Sequence, residues 1–312
     1  MFILCQGKKS IDVLLFLFLC AMKSEWNNEM REFIKLAILE DINDPTGTIP
    51  SGDHSSLACF ATPHTASAKL LVKEAGILAG VEVAQMVCQQ IDPALKLELL
   101  MADGDPMTKG DIAFYITGDK KSILQAERLL LNFMQRMSGI ATTTHRYVLA
   151  IAGTTTQILD TRKTTPGLRA FEKWAVRLGG GQNHRFGLYD MIMLKDNHID
   201  FCGGIKPAIL AVKKYQEEKG LNLRVEVETR TLDEVKQALD TGYIHRIMFD
   251  NFSVAMVIEA VALVNHQYET EVSGGITLDT IRDYALAGPQ YISVGALTHS
   301  SKSIDLSLKV IK

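Results

Sequence analysis

Three stretches hold the residues best suited to chemistry. They are Asp160-Thr161-Arg162-Lys163-Thr164-Thr165-Pro166-Gly167-Leu168-Arg169, Gly179-Gly180-Gly181-Gln182-Asn183-His184-Arg185 and Lys195-Asp196-Asn197-His198. The segments read as loops after short apolar runs. Arg162, Lys163, His184, Arg185 and Lys195 concentrate positive charge in a chain whose net charge is −3. Local charge of that kind suits a pocket for a polyanion. Arginine matches carboxylate and phosphate because its planar fork donates two parallel hydrogen bonds, and lysine supplies a point charge. The plainer reading is a surface salt-bridge network. Thr164-Thr165-Pro166-Gly167 reads as a turn that shapes its loop. Arg169 could simply pair charges on its helix, and Asn197 and His198 either act or order Lys195. Asp196 is open.

Two carboxylates follow apolar runs. Glu228 ends Val225-Glu226-Val227-Glu228 and Asp250 ends Ile247-Met248-Phe249-Asp250. Either could be a buried acid with a basic partner. The functional reading is contact with sugar hydroxyls, support of Mg²⁺, which prefers carboxylate and phosphate oxygen, and stabilisation of an oxocarbenium-like centre. Glu226 is expected on the opposite side of its strand, which leaves Glu228 as the acting group. Two glycine words follow later runs: Ser273-Gly274-Gly275-Ile276 and Val294-Gly295-Ala296-Leu297. Glycine after a strand often serves only to turn the chain. At successive late strands, however, it lets backbone N–H groups approach a phosphate.

These groups need a frame to bring them together. From about residue 150 onward, short apolar runs alternate with helical stretches. The runs end at Asp160, Lys195, Glu228, Asp250, Ser273 and Gly295, with room between them for a helix and two loops. That is a βα repeat closing into a barrel, whose functional groups gather at the C-terminal ends of the strands. All six run ends are therefore expected to point into one mouth. Upstream, a helix capped by Ser24 is expected to reach about Glu40, burying Met30, Phe33, Ile34, Ala37 and Ile38 on one face. Residues 43–56 read as loop. Strands are expected near Leu57–Ala61, Ala68–Val72, Leu95–Met101 and Ile112–Thr117, and a helix near Val81–Ile91. Two further helices, Ser122–Met137 and Ile140–Ala152, lead to the barrel. The fold class is thus α/β, with an N-terminal α+β layer domain over 23–137 and a barrel over 138–297.

The chain of 312 residues is 47% hydrophobic and 22% charged, ordinary for a globular protein with two domains. Its near-neutral charge argues against nucleic acid as main partner. Five cysteines without a CxxC pair suit reduced thiols in a cytoplasm better than disulfides or zinc. Residues 1–22 carry Lys8-Lys9 before an apolar run too short to span a bilayer. They read as an upstream extension, with Met22 or Met30 as the start, or as a signal-like segment.

DTRKTTPGLR, EKWAVRLGGGQNHR and KDNH resemble the signature of quinolinate phosphoribosyltransferases, and the resemblance runs from about Glu32 to the C-terminus. It implies transfer of phosphoribosyl from phosphoribosyl pyrophosphate to quinolinate, with loss of CO₂ and with Mg²⁺ present. It implies an incomplete α/β barrel, with 298–312 returning to the first domain. By resemblance, Arg162, Lys163, His184, Arg185 and Lys195, with Thr161, hold the quinolinate carboxylates and help bind the pyrophosphate. Lys163, Glu228 and Asp250 act at the reacting centre. Ser273, Gly274, Gly275, Gly295, Ala296 and Leu297 take the 5′-phosphate. Arg128, in an ERxxLN word, reaches into a neighbouring subunit's site in a homodimer. One departure stands out: Asp53-His54-Ser55-Ser56 replaces the expected GD-then-Thr pattern, in a loop expected to border the site. Three rivals remain. They are a molybdenum-transport-associated homologue that binds an anion, a nicotinate phosphoribosyltransferase, and a Schiff-base aldolase using Lys163 or Lys195.

Overall fold

A computed structural model describes residues 28–311. Ser24 and the apolar run of residues 1–22 lie outside these. Helix α1 (28–42) buries Met30 and Ile34 and rests Phe33, Ala37 and Ile38 on the core, at the expected spacing. A four-stranded antiparallel sheet follows, in the order β12-β1-β5-β3. It comprises β1 (Thr65–Val72), β3 (Lys96–Leu99), β5 (Ile112–Asp119) and, from the far end of the chain, β12 (Leu306–Val310). Leu70 of β1 pairs with Leu308 of β12 and Phe114 of β5, all three buried. Helix α3 (Val81–Ile91) lies where its periodicity put it. Its first N–H groups, at Val81 and Glu82, donate to the Asp103 carboxylate at 2.9 and 3.1 Å, a cap supplied from a distant loop.

Two expectations fail in this half. Leu57–Ala61 is not a strand: residues His54–Cys59 form helix α2. Asp53 is its N-cap and accepts from the Ser56 N–H at 3.1 Å. Five apolar residues in a row, Leu57 to Ala61, carry no period, so the cap decided the local structure. The two helices read on either side of residue 138 are one, α4 (Lys120–Ala150), of 31 residues. Gly139 does not break it. A Cβ at that position would collide with the carbonyl of Lys302, so the glycine lets the returning C-terminal segment press against the helix.

The second half is a parallel sheet of six strands in the order β6-β11-β10-β9-β8-β7. The strands are β6 (Gln157–Leu159), β7 (Ile192–Leu194), β8 (Val225–Thr229), β9 (Arg246–Asp250), β10 (Glu269–Ser273) and β11 (Tyr291–Ser293). The outer strands β6 and β7 are joined by no ladder; a single bridge from Leu159 to Gln182 extends β6. The barrel is therefore incomplete. Helices such as α5 (Arg169–Leu178), α8 (Leu232–Thr241) and α9 (Val254–Val264) connect the strands, and Val225, Val227, Ile247, Phe249, Val272 and Ile292 are buried in its core. Among the described residues no helix is long and apolar enough to cross a membrane.

Candidate active site

A cavity of about 700 Å³ opens at the C-terminal ends of the barrel strands. The loop after β6 brings Thr161, Arg162 and Lys163 to it, and the loop after α5 brings His184 and Arg185. Lys195 comes from the end of β7, Glu228 from β8, Asp250 from β9, Ser273, Gly274 and Gly275 from β10, and Gly295 and Ala296 from β11. Strand ends converge because a parallel sheet points every carboxyl end the same way.

The cationic side is held rigidly and left short of negative charge. Burial and the neighbouring Arg162 both lower the affinity of Arg185 for its proton. Two guanidiniums this close repel, and the arrangement is relaxed by an anion between them. Arg185 donates Nη1 to the Met191 carbonyl at 3.2 Å, and Arg162 Nε is buried without a partner. Thr161 accepts from the Lys163 N–H at 3.0 Å, and the Lys163 carbonyl accepts from Thr298 at 2.8 Å. Arg169 donates to Thr164 and to the Phe186 carbonyl, both at 3.0 Å, tying one loop to the other. His198 accepts the Lys195 N–H through Nδ1 at 3.1 Å, so it orders Lys195 and does not line the cavity.

The anionic side faces it. Burial first, then the nearby Asp250, pushes Glu228 above the usual carboxylate range. Two such oxygens side by side are poised to share a cation. Beyond them, Gly274 has φ +96°, and a Cβ there would strike the Asn251 side chain. Asn251 itself has φ +57° and donates Nδ2 to Asp250 at 2.7 Å. The β9 and β10 loops are therefore interlocked, with glycine where no side chain fits.

Several sequence readings need correction. Asp160 does not reach the mouth. It is fully buried, paired with buried Lys173 at 2.5 Å, and it accepts from Asn183 at 2.6 Å and from the His184 N–H at 2.8 Å. Its function is to pin the loop that carries His184. Glu226 does not face away from Glu228, because positions two apart on a strand share a face. It lies deeper in the barrel, 2.9 Å from His184 Nε2, beside Glu271 and Arg246 of the neighbouring strands. Burial pushes Glu226 and Glu271 up to about 7, with each other's charge adding at Glu271 and Arg246 opposing. His184 lines the cavity; its Nδ1 accepts the Arg185 N–H at 2.7 Å, and its Nε2 is left without a hydrogen-bond partner. Leu297 is buried and does not line the cavity. Arg128 is exposed on α4 and is not among this cavity's lining residues, which leaves its expected place in a neighbouring subunit's site open. The loop around Asp53–Ser56 contributes nothing to the lining. Met193, Asn251, Thr277, Ser293 and His299 line the cavity without having been singled out. The βα-loop rule covers Asn251 and Thr277, which lie just past strand ends; nothing local marks His299, which contacts the site only through the fold.

The molecule's relatives share this architecture. The C-terminal domain of the quinolinate phosphoribosyl transferase family matches residues 140–309, and its N-terminal domain matches 53–138. An Arabidopsis thaliana protein named nicotinate-nucleotide pyrophosphorylase [carboxylating], chloroplastic, is 45% identical over 296 residues, 90% of this chain and 83% of its own length. A Bacillus subtilis protein named as a probable nicotinate-nucleotide pyrophosphorylase [carboxylating] is 40% identical over 282 residues, 90% of this chain and 93% of its own. The solved structure of the nicotinate-nucleotide pyrophosphorylase from Francisella tularensis superposes with a TM-score of 0.83 at 38% identity, covering 91% of this chain and 97% of that one. With both domain families matched end to end and relatives this close, the chain belongs to the quinolinate phosphoribosyltransferase family.

Proposed function

We propose that the chain is a nicotinate-nucleotide diphosphorylase (carboxylating). It transfers phosphoribosyl from phosphoribosyl pyrophosphate to quinolinate, releasing pyrophosphate and CO₂ and forming nicotinate mononucleotide in NAD biosynthesis. The observation that carries this reading is the division of one cavity into a cationic wall and a carboxylate wall, in a chain whose relatives bear that name. Arg162, Arg185, Lys163 and Lys195 offer the charge two substrate carboxylates need. The Gly274-Gly275 and Gly295-Ala296 turns present backbone N–H groups to the 5′-phosphate. The pyridine nitrogen attacks the anomeric carbon as the bond to pyrophosphate breaks, and the carboxylate beside the nitrogen then leaves as CO₂, its electron pair taking up a proton at the ring carbon. Positioned charge suffices for such a step without a covalent enzyme intermediate. No step of this route uses a lysine as nucleophile, as a Schiff-base aldolase would. The molybdenum-associated reading has no support among the named relatives.

Glu228 and Asp250 suit Mg²⁺: two hard oxygen donors, partly withdrawn from water, beside the expected diphosphate. Bound there, the ion would neutralise the leaving pyrophosphate. The enzyme works as a homodimer in this reading, with Arg128 serving the partner's cavity. This is supported by its exposure and its absence from the lining of its own cavity. A cytoplasmic location rests on thiols left free at Cys59, Cys88 and Cys202. The test is steady-state turnover with quinolinate against nicotinate. Quinolinate is expected to be preferred by at least about 100-fold in kcat/KM, because a site built for two carboxylates leaves charge unpaired with one. Equal use of nicotinate would overturn the assignment.

A further inference from the structure

Behind the cavity wall, one ion pair bonds two backbone segments that supply different parts of the site. Glu172, in the first turn of α5, is fully buried. Arg136 of α4 donates to its Oε1 through Nε at 3.1 Å and through Nη2 at 2.8 Å. Phe33, Phe133, Leu168 and Phe171 line the apolar space beside the pair. A carboxylate in a helix's first turn often serves only the helix dipole, from the surface. Withdrawing it from water beside a guanidinium is costly, so its remaining hydrogen bonds matter.

Glu172 Oε2 accepts the Thr165 N–H at 3.1 Å, two residues past Lys163. Arg136 bonds a second segment: Nη1 donates to the Ser301 carbonyl at 2.9 Å and Nη2 to the Thr298 carbonyl. Thr298 lies in the short helix Ala296–His299, which follows directly on Gly295. The two segments also touch. Thr298 Oγ1 donates to the Lys163 carbonyl at 2.8 Å, and a Cβ on Gly295 would lie 3.1 Å from Lys163 Cδ. The first segment carries Arg162 and Lys163 of the cationic wall. The second carries the Gly295-Ala296 turn assigned to the 5′-phosphate.

We infer that Arg136 and Glu172 are a positioning pair that sets the spacing between the cationic wall and the phosphate turn. This rests on the reading of the cavity as a phosphoribosyltransferase site. Neither residue lines the cavity. The pair governs how two bound substrates face each other more than how tightly either is held. Its loss therefore falls on kcat, since misplacing reacting groups by about 1 Å costs on the order of 100-fold.

The test replaces both residues together, Arg136→Met with Glu172→Leu, so that no buried charge is left without its partner. Apolar side chains of similar volume commonly substitute for a buried ion pair without loss of stability. In this variant kcat is expected to fall on the order of 10- to 100-fold, with KM for each substrate within about threefold. A kcat within about twofold of wild type, or a loss confined to KM for one substrate, would overturn the proposal. Should the double variant not fold, Arg136→Lys decides by the same measurements. It keeps a charge opposite Glu172 and loses the fork that reaches both carbonyls, so a fall of about 10-fold in kcat is expected and an unchanged kcat would overturn the pair's role. Hydrogen exchange reads the clamp apart from turnover. The Thr165 amide should exchange at least about 10-fold faster in the double variant than in wild type, and an equal rate would count against the clamp. If wild type does not turn over quinolinate while the Thr165 amide responds as expected, the functional reading fails and the clamp stands.

Discussion

Arg185 combines partial burial, a second guanidinium nearby and a backbone pinned from below. Replacing it, or Lys163, with alanine should cost on the order of 2–4 kcal/mol of transition-state stabilisation, roughly 30- to 1,000-fold in kcat/KM. Circular dichroism should show the fold intact; near-normal turnover in both variants would refute the assignment. The residue scale was also where the sequence was most readable. The long words around Arg162, His184 and Lys195 named the cationic part of the cavity lining, because loop residues that do chemistry are chosen for little else. Asp160 misled because a strand-end carboxylate looks the same whether it faces the mouth or accepts three buried hydrogen bonds. Glu226 was misplaced by an error about the pleat. Nothing local could have joined it to Glu271 and Arg246, whose meeting depends on strand register. That layer also makes a pH prediction. The folded Glu271 is pushed from 4.5 up to about 7, so the folded state binds more protons than the unfolded chain between those values. Stability from this group is fully present below that window and is lost as pH rises through it. Relative to wild type, Glu271→Gln should therefore gain stability between about pH 5 and pH 8, on the order of 2 kcal/mol. A pH-independent difference in chemical-denaturation midpoints would contradict this.

Among the elements, α4 carries the most weight. It joins both halves of the chain, and its mid-helix glycine marks the closest approach of the returning C-terminal segment. The helix was legible as two pieces because Ser138-Gly139 carries the composition of a break. What it encodes is tertiary contact: Ser138 donates to the Ala79 carbonyl at 3.2 Å and accepts its N–H at 2.9 Å. Arg136, two residues earlier, donates to Glu172 at 2.8 Å and to the Thr298 and Ser301 carbonyls. Glycine at 139 is thus a packing requirement, and Gly139→Ala should destabilise by about 2–4 kcal/mol despite alanine's better helix propensity. Thermal unfolding reads the sign directly, and an unchanged or raised Tm would show that the close approach to Lys302 is not needed. Helix α3 and the strands β1, β3 and β5 were readable from period and length. Helix α2 was not, since a short helix depends on its cap more than on its pattern.

At the scale of the whole molecule, the single chain presents a cavity that its own Arg128 does not enter. A two-fold dimer would give each arginine to the other mouth. Arg128→Ala and Lys195→Ala should each be inactive. Purified mixed dimers should regain activity at one of their two sites, and random exchange of equal amounts should give roughly a quarter of wild-type activity. Mixed dimers as dead as the parents would place Arg128 outside the neighbouring site. The central claim, that one cavity couples phosphoribosyl transfer to loss of the carboxylate beside the ring nitrogen, is tested most directly with quinolinate carrying ¹⁴C in that carboxylate. Labelled CO₂, pyrophosphate and nicotinate mononucleotide should appear in equal amounts, with no label released unless phosphoribosyl pyrophosphate is present. Pyrophosphate release without labelled CO₂, or label lost without phosphoribosyl pyrophosphate, would contradict the account.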